Sequence, residues 1–216
     1  MDLEELKIKN LGLEINKFKK IYTFIDFGNV DYWYERDQYN WDAKSLEPGQ
    51  KLVVDIGSLA LFAQRFSLHK RFYYGLDPQK PKSIRIISKA REYFDKTITK
   101  PIQKIRHYLN IEEEHKTTRK IDEDVRGKFV YIPKCNFDTE ICVDAIRFIN
   151  KYDTFCLFSS DADFAYLLDY LKRNGKMIIL VKSGFVQSAL LKQADLVVSA
   201  QDIKKEITII KQKPRL

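Results

Sequence analysis

Ligands for zinc and partners for disulfides are scarce in this chain. Its three cysteines, Cys135, Cys142 and Cys156, show no CxxC spacing. They read as small buried hydrophobes in a reducing compartment, not as a metal knuckle or a disulfide framework. The three histidines, His69, His107 and His115, are scattered and form no HExxH, which leaves zinc hydrolysis and histidine-based catalysis without a ligand set. No apolar run reaches the roughly 18 residues that a membrane-spanning helix needs. The N-terminal MDLEELKIKNLGLEINKFKK alternates acids and lysines around no hydrophobic signal core. These absences point to a cytoplasmic protein with no membrane partner. Internal repeats and low-complexity segments are missing as well.

What is present suits one ordinary α/β domain, since 216 residues are short for two. The chain is 44% hydrophobic, enough to bury a real core, and 31% charged against a typical value of roughly 25%. A net charge of +8 favours a polyanionic partner, nucleic acid before membrane. Against that positive background the aspartates of DTEICVDAIRFINKYDTFCLFSSDADFAYLLDYLKRNGKMIILVK (138–182) stand out. Several acids together would repel a phosphate backbone unless a cation sits between them.

Residues 1–19 mix leucines and lysines with no single period and read as a leader, helical in part. IYTFID (21–26) is an apolar run ending in Asp, as suits a buried parallel strand, and Gly28-Asn29 breaks it. Asp26 is then either a site carboxylate or a cap for the following segment. Residues 30–41 are dense in aromatics. If exposed, Trp33 and Tyr34 would stack on bases; turned inward, they would be core and cover. Residues 52–66 carry helical spacing, while 70–75 and 97–103 read as strands around a helix from Ser83 to Phe94. Pro101 marks an edge strand or a strand end. The charged stretch 104–128 reads as a solvated hairpin or mobile excursion, with FVYIP (129–133) returning as a strand.

From there the alternation is regular. Helix 139–150, strand 154–158, helix 163–173 and strand 177–181 follow one another, with Asn174-Gly175 as the stop between the last two. A short helix near 185–193, a strand at 195–199 and a basic tail at 201–216 complete the chain. The pattern predicts a three-layer α/β/α sandwich with a mainly parallel central sheet over 20–200.

Parallel strands joined by right-handed crossovers present their C-terminal ends at one edge. Asp26, ending the first strand, and Asp161, just past TFCLF, are therefore expected to be neighbours. Asp163 starts the next helix and Asp138 starts another, so both can point at the same edge. Asp144 lies about 240° around the helix from Asp138 and is a poorer member of the set. Crowded carboxylates take up protons unless a cation compensates. Oxygen-only ligation suits hard ions, Mg²⁺ or Mn²⁺. Each acid has a structural alternative too: Asp138, Asp161 and Asp163 as helix-terminal charges, Asp144 as a surface partner of Arg147.

Five segments in order, FIDFGNV (24–30), FYYGLDP (72–78), TKP (99–101), KCNFDTEICVDAI (134–146) and LFSSDADFAYLLDYLKRNGKMIIL (157–180), resemble the NYN domain family, a branch of the PIN-like nucleases. The resemblance spans about residues 20–200. It implies a PIN-like fold and Mg²⁺- or Mn²⁺-dependent cleavage of RNA by a water attacking the phosphodiester, and single-stranded DNA stands as an alternative partner to RNA. By position Asp26, Asp138 and Asp161 match the family's metal acids, Asp163 and Asp144 its accessory acids, and Asn29 the polar residue after the first strand. Asp163 is counted with the metal ligands as well. Two departures concern loop geometry: Ser160 stands where glycine is frequent, and CNFD replaces a Lys-Gly-Val-Asp pattern. The 104–128 stretch exceeds the family's usual connection and reads as a substrate-selecting or partner-binding insertion. A homo-oligomer is compatible with the sequence.

Two other functions compete with a ribonuclease. One is a nucleic-acid-binding or regulatory module that keeps the fold and turns over poorly. The other is a phosphotransfer or phosphatase domain, but the haloacid-dehalogenase pattern needs Asp-x-Asp where this chain has Asp26-Phe27-Gly28.

Overall fold

Strands covered on both faces must be apolar at successive positions, and Thr154–Phe158 is buried at all five of its residues. The computed structural model, which describes residues 3–14, 16–117 and 119–212, builds outward from that strand. The first half of the chain comprises α1 (Leu3–Asn10), β1 (Ile21–Asp26), α2 (Phe27–Val30), β2 (Gln50–Val54), α3 (Ile56–Gln64), β3 (Ser67–Leu76), α4 (Pro81–Tyr93) and β4 (Lys96–Pro101). Next come β5 (Gln103–Tyr108), α5 (Ile111–Lys116), β6 (Asp122–Asp124), β7 (Gly127–Lys134), α6 (Asp138–Arg147) and β8 (Thr154–Phe158). A 3₁₀ turn at Ala162–Phe164 then leads into α7 (Ala165–Arg173), β9 (Met177–Lys182), α8 (Ser188–Leu191), β10 (Leu196–Ser199), α9 (Lys204–Ile207) and β11 (Thr208–Gln212).

Six strands form one sheet in the order β10-β9-β8-β1-β3-β4, and every neighbouring pair is parallel. Period-two alternation divides the side chains of this sheet between two layers. Phe24, Phe155, Leu157, Ile178 and Leu180 pack with Ile141 of α6, Leu168 of α7 and Leu190 of α8. Their sequence neighbours Ile25, Cys156, Phe158, Ile179 and Val181 pack on the opposite side with Leu59 and Phe62 of α3. Helices on both faces make the three-layer α/β/α architecture that the sequence pattern predicts. The three cysteines are free.

Several elements differ from the sequence expectation. The helix expected over 52–66 is a strand and a helix, separated by Asp55, whose carboxylate accepts from the Ser58 N–H and starts α3. The strand pairs antiparallel with β11, Thr208 opposite Val54, so part of the expected tail is a paired strand. The strand expected over 97–103 divides at Ile102: β4 is the parallel edge and β5 turns away. The charged stretch belongs to a three-stranded antiparallel sheet, β5-β7-β6, with α5 started by an Asn110–Glu113 capping box. In the leader, Ile8, Leu13 and Phe18 are buried in the core. Ile15 of the leader and residues 213–216 of the tail lie outside the described residues. No helix among the described residues is long and apolar enough to cross a membrane.

Candidate metal centre

Register decides which acids meet. Ile25 of β1 is paired with Phe158 of β8, so both strands end at the same level and Asp26 faces the Ser159–Asp161 turn. The Ser159 hydroxyl donates to the Asp26 carboxylate at 3.1 Å and accepts from the Asp161 N–H at 3.2 Å. One side chain thus links the two strand ends. Asn29 holds the same turn from the other side: its Oδ1 accepts from the Ser160 N–H at 3.1 Å and from the Trp33 indole at 2.9 Å. Ser160, in the position where the family favours glycine, exchanges hydrogen bonds with the Ser183 backbone at the end of β9. Its hydroxyl therefore anchors the loop.

Asp138 arrives from a third element, as the first residue of α6. Asn136 fixes it through two bonds, Nδ2 donating to the Asp138 carboxylate at 2.6 Å and Oδ1 accepting from the Asp138 N–H at 2.7 Å. Asp161 accepts from the Asp163 N–H at 3.0 Å, so the capping alternative is realised for one of its oxygens. Carboxylate oxygens of Asp138, Asp161 and Asp163 all lie within 4.8 Å of one another. Asp26 stands outside that triple but shares a cleft of about 490 Å³ with Asp138 and Asp161. Gly75 makes room at the cleft wall. A Cβ there would lie 2.7 Å from the Ile102 side chain and 2.8 Å from that of Cys135.

Charge at the site is uneven. Two other acids on the cleft are matched, Asp31 by Lys82 at 2.6 Å and Asp77 by Lys80 at 3.6 Å. Asp26, Asp138, Asp161 and Asp163 have no Lys or Arg ion pair among the described residues. Burial pushes the Asp26 carboxyl up to about 6, and repulsion from Asp138 and Asp161 adds to it against the Ser159 hydrogen bond. Asp138 is raised too, first by burial and then by Asp161 and Asp163. Two acids held above their ordinary range beside further carboxylates form a site that favours a positive occupant. Its donors are all oxygen, the set that Mg²⁺ or Mn²⁺ takes. Three such oxygens gathered from separate elements, with no cation paired to them among the described residues, fit such an ion.

Three residues expected at the site lie elsewhere. Asp144 is buried on α6 with its Oδ2 2.6 Å from Arg71 and its Oδ1 3.4 Å from Arg147, and the Tyr73 hydroxyl donates to it at 3.0 Å. Six residues of helix turn it away from Asp138, so it is the counter-ion of a buried arginine and not an accessory acid. Trp33 and Tyr34 are 8% and 1% exposed. The Trp33 ring stacks on Phe158, and the Tyr34 hydroxyl donates to the Ala200 carbonyl at 2.5 Å. Neither ring is open to a base. Asn29 lines the cleft, with its oxygen occupied by the turn it holds. The sequence reading missed Asn136 and Ser159, for which only proximity to an aspartate was available as a signal. Tyr32, one of the aromatics of 30–41 expected to stack on bases if exposed, is 63% exposed and on the cleft.

The family model that matches this chain is the NYN domain, over residues 20–201. The chain belongs to the NYN domain family, whose fold is of the nuclease type and whose nuclease members act on nucleic acids. A crystal structure of a protein of unknown function, VPA0982 from Vibrio parahaemolyticus RIMD 2210633, shares the fold. Its TM-score is 0.55 at 18% identity, covering 89% of this chain and 97% of that one. A structure from work on the mechanism and regulation of Sir2 enzymes aligns at TM-score 0.42 and 12% identity over 94% of this chain and 93% of that one, too distant to carry an argument. Comparison with curated proteins gave no match.

Proposed function

We propose that the protein is a ribonuclease that uses Mg²⁺ or Mn²⁺ to hydrolyse RNA phosphodiester bonds. The observation that carries this reading is the meeting of Asp138, Asp161 and Asp163 within 4.8 Å, beside a cleft that Asp26 enters from another strand. Asp138, Asp161 and Asp163 would hold the ion. When bound, such an ion polarises the phosphodiester and lowers the pKa of water.

The protein's own groups supply the rest. Asp26, on the cleft beside these acids and without a Lys or Arg ion pair among the described residues, would take the proton of the attacking water. Ser159 fixes its orientation. Lys134 on the cleft, which has no ion pair among the described residues, counters the charge of a phosphate backbone, whereas Lys80 and Lys82 offset Asp77 and Asp31. Asn29 and Asn136 keep Asp161 and Asp138 in place through the loops they tie.

The test incubates purified protein with labelled single-stranded and structured RNA in Mn²⁺, in Mg²⁺ and in chelator. Cleavage in either ion, none in chelator, and loss of cleavage in Asp26→Asn and Asp161→Asn are expected. Metal-independent cleavage would overturn the reading, and binding without any cleavage would point to a regulatory nucleic-acid-binding module.

A further inference from the structure

The β5-β7-β6 sheet has two unlike faces. In antiparallel pairs, residues directly opposite share a face, and Lys104, Arg106 and Tyr108 of β5 stand opposite Pro133, Tyr131 and Phe129 of β7. The other face takes α5, through His107–Glu113 at 3.2 Å and Lys128–Glu114 at 2.9 Å. The face bearing Lys104 therefore lies on the side away from α5. On it Tyr131 is 39% exposed, Tyr108 36%, and the Arg106 side chain about half.

This face is built, not merely exposed. The Arg106 guanidinium sits 4.9 Å over the Phe129 ring. Asp124 receives hydrogen bonds from both Arg106 and the Tyr108 hydroxyl at 3.0 Å. Tyr131 stands edge-on to Phe129 at 5.5 Å, and the Tyr108 ring lies tilted against Phe129 at 5.6 Å. One acid and one buried phenylalanine thus fix two tyrosines and an arginine. The face also runs into the cleft. Pro133 is one of its residues and lines the cleft, and Lys104 donates at 3.3 Å to Gln79, beside the cleft residue Lys80.

We infer that this face is a docking track for a single-stranded RNA segment adjoining the scissile bond. Tyr131 and Tyr108 stack on unpaired bases, and Lys104 neutralises an intervening phosphate, while Arg106, paired with Asp124, holds the ring cluster in place. Exposed aromatics interleaved with cations recognise bases whose faces are free, which a duplex does not offer. The acids on this face, Asp122 and Asp124, are already paired with Lys120 and Arg106, so among the described residues Lys104 is the cation of the face left without an ion pair and suited to a phosphate. The inference rests on the ribonuclease reading for the identity of the strand, and its test is separate from cleavage.

The experiment is fluorescence anisotropy of a labelled 12-nucleotide oligouridine, and of an RNA duplex of the same length, with the full chain in chelator. Tyr131→Ala should weaken single-strand binding about tenfold, the scale of one base-stacking contact. Lys104→Ala should lower the slope of log affinity against log salt by about 1. Both variants should hydrolyse bis(p-nitrophenyl) phosphate, too small to reach the track, at the parental rate. Failure of the ribonuclease reading would appear as no hydrolysis by any form, with the binding losses intact. Unchanged oligouridine affinity in Tyr131→Ala and Lys104→Ala would overturn the track. Equal losses for the duplex, or a protein captured at this face in preference to RNA, would overturn it also.

Discussion

A carboxylate at the end of a parallel strand is a site residue or a cap, and hydrogen bonding separates the two. Asp26 makes no capping bond of full geometry to the short helix it precedes, and the pull of the Asn29 N–H on its carboxylate is weaker than that of the Ser159 hydroxyl. It is held instead by Ser159 from the neighbouring strand, with its pKa raised from 3.8 to about 6 by burial and by Asp138 and Asp161. Between those values the folded protein holds a proton that the unfolded chain has lost. The stabilisation is therefore full below about pH 4 and disappears as pH rises through 6. In chelator, Asp26→Asn should be more stable than the parent at pH 8, by up to about 3 kcal/mol, and equal to it at pH 4. Urea unfolding at the two pH values measures this, and a variant less stable at pH 8 would show that Asp26 is structural. Asp26 and Asp161 were legible in the sequence because strand ends announce themselves. Trp33 and Tyr34 were not, since an aromatic run carries no sign of which rings turn inward. Tyr32, their neighbour, is the ring that stays on the cleft.

Elements show the same division. The parallel strands and α7 are local patterns, and TFCLF was expected at the residues where β8 forms. The β2–β11 pair joins distant segments, Thr208 to Val54, and no local periodicity encodes such a partner. Helix α6 presents a third case. Its first residue serves the metal centre, whereas Asp144 lies on the face that packs against the sheet, beside Arg71 of β3. The Arg71 guanidinium is stacked 4.7 Å over Phe148 and bonded to Tyr73 and Asp144. Removing its counter-ion strands a buried charge. Asp144→Ala should cost about 3–5 kcal/mol, while Arg147→Ala, which removes the exposed partner, should cost under about 1 kcal/mol. Chemical denaturation compares them, and equal effects would mean that Arg71 finds water on its own.

At the scale of the molecule, a chain of net charge +8 gathers at one edge of its sheet carboxylates that have no Lys or Arg ion pair among the described residues, with lysines on the same cleft. The three-layer architecture could be read from alternation alone. Asp138, Asp161 and Asp163 were expected at one edge from their places at element ends, and the register showed which of the acids approach most closely. Of the hairpin sheet, a charged hairpin and the returning FVYIP strand were legible, and its three-strand pairing and α5 were not, since its core is little more than Phe129 and Val130. The central claim is that these acids bind a divalent ion, and thermal melting with and without Mn²⁺ tests it most directly. At 100 times the dissociation constant, binding adds about 2.7 kcal/mol, or roughly 5–10 °C for a chain of this size. The account predicts that rise for the parent and its loss in Asp138→Asn and Asp161→Asn. A parent that melts at one temperature with and without Mn²⁺, together with Asp161→Asn cleaving RNA at the parental rate, would contradict it.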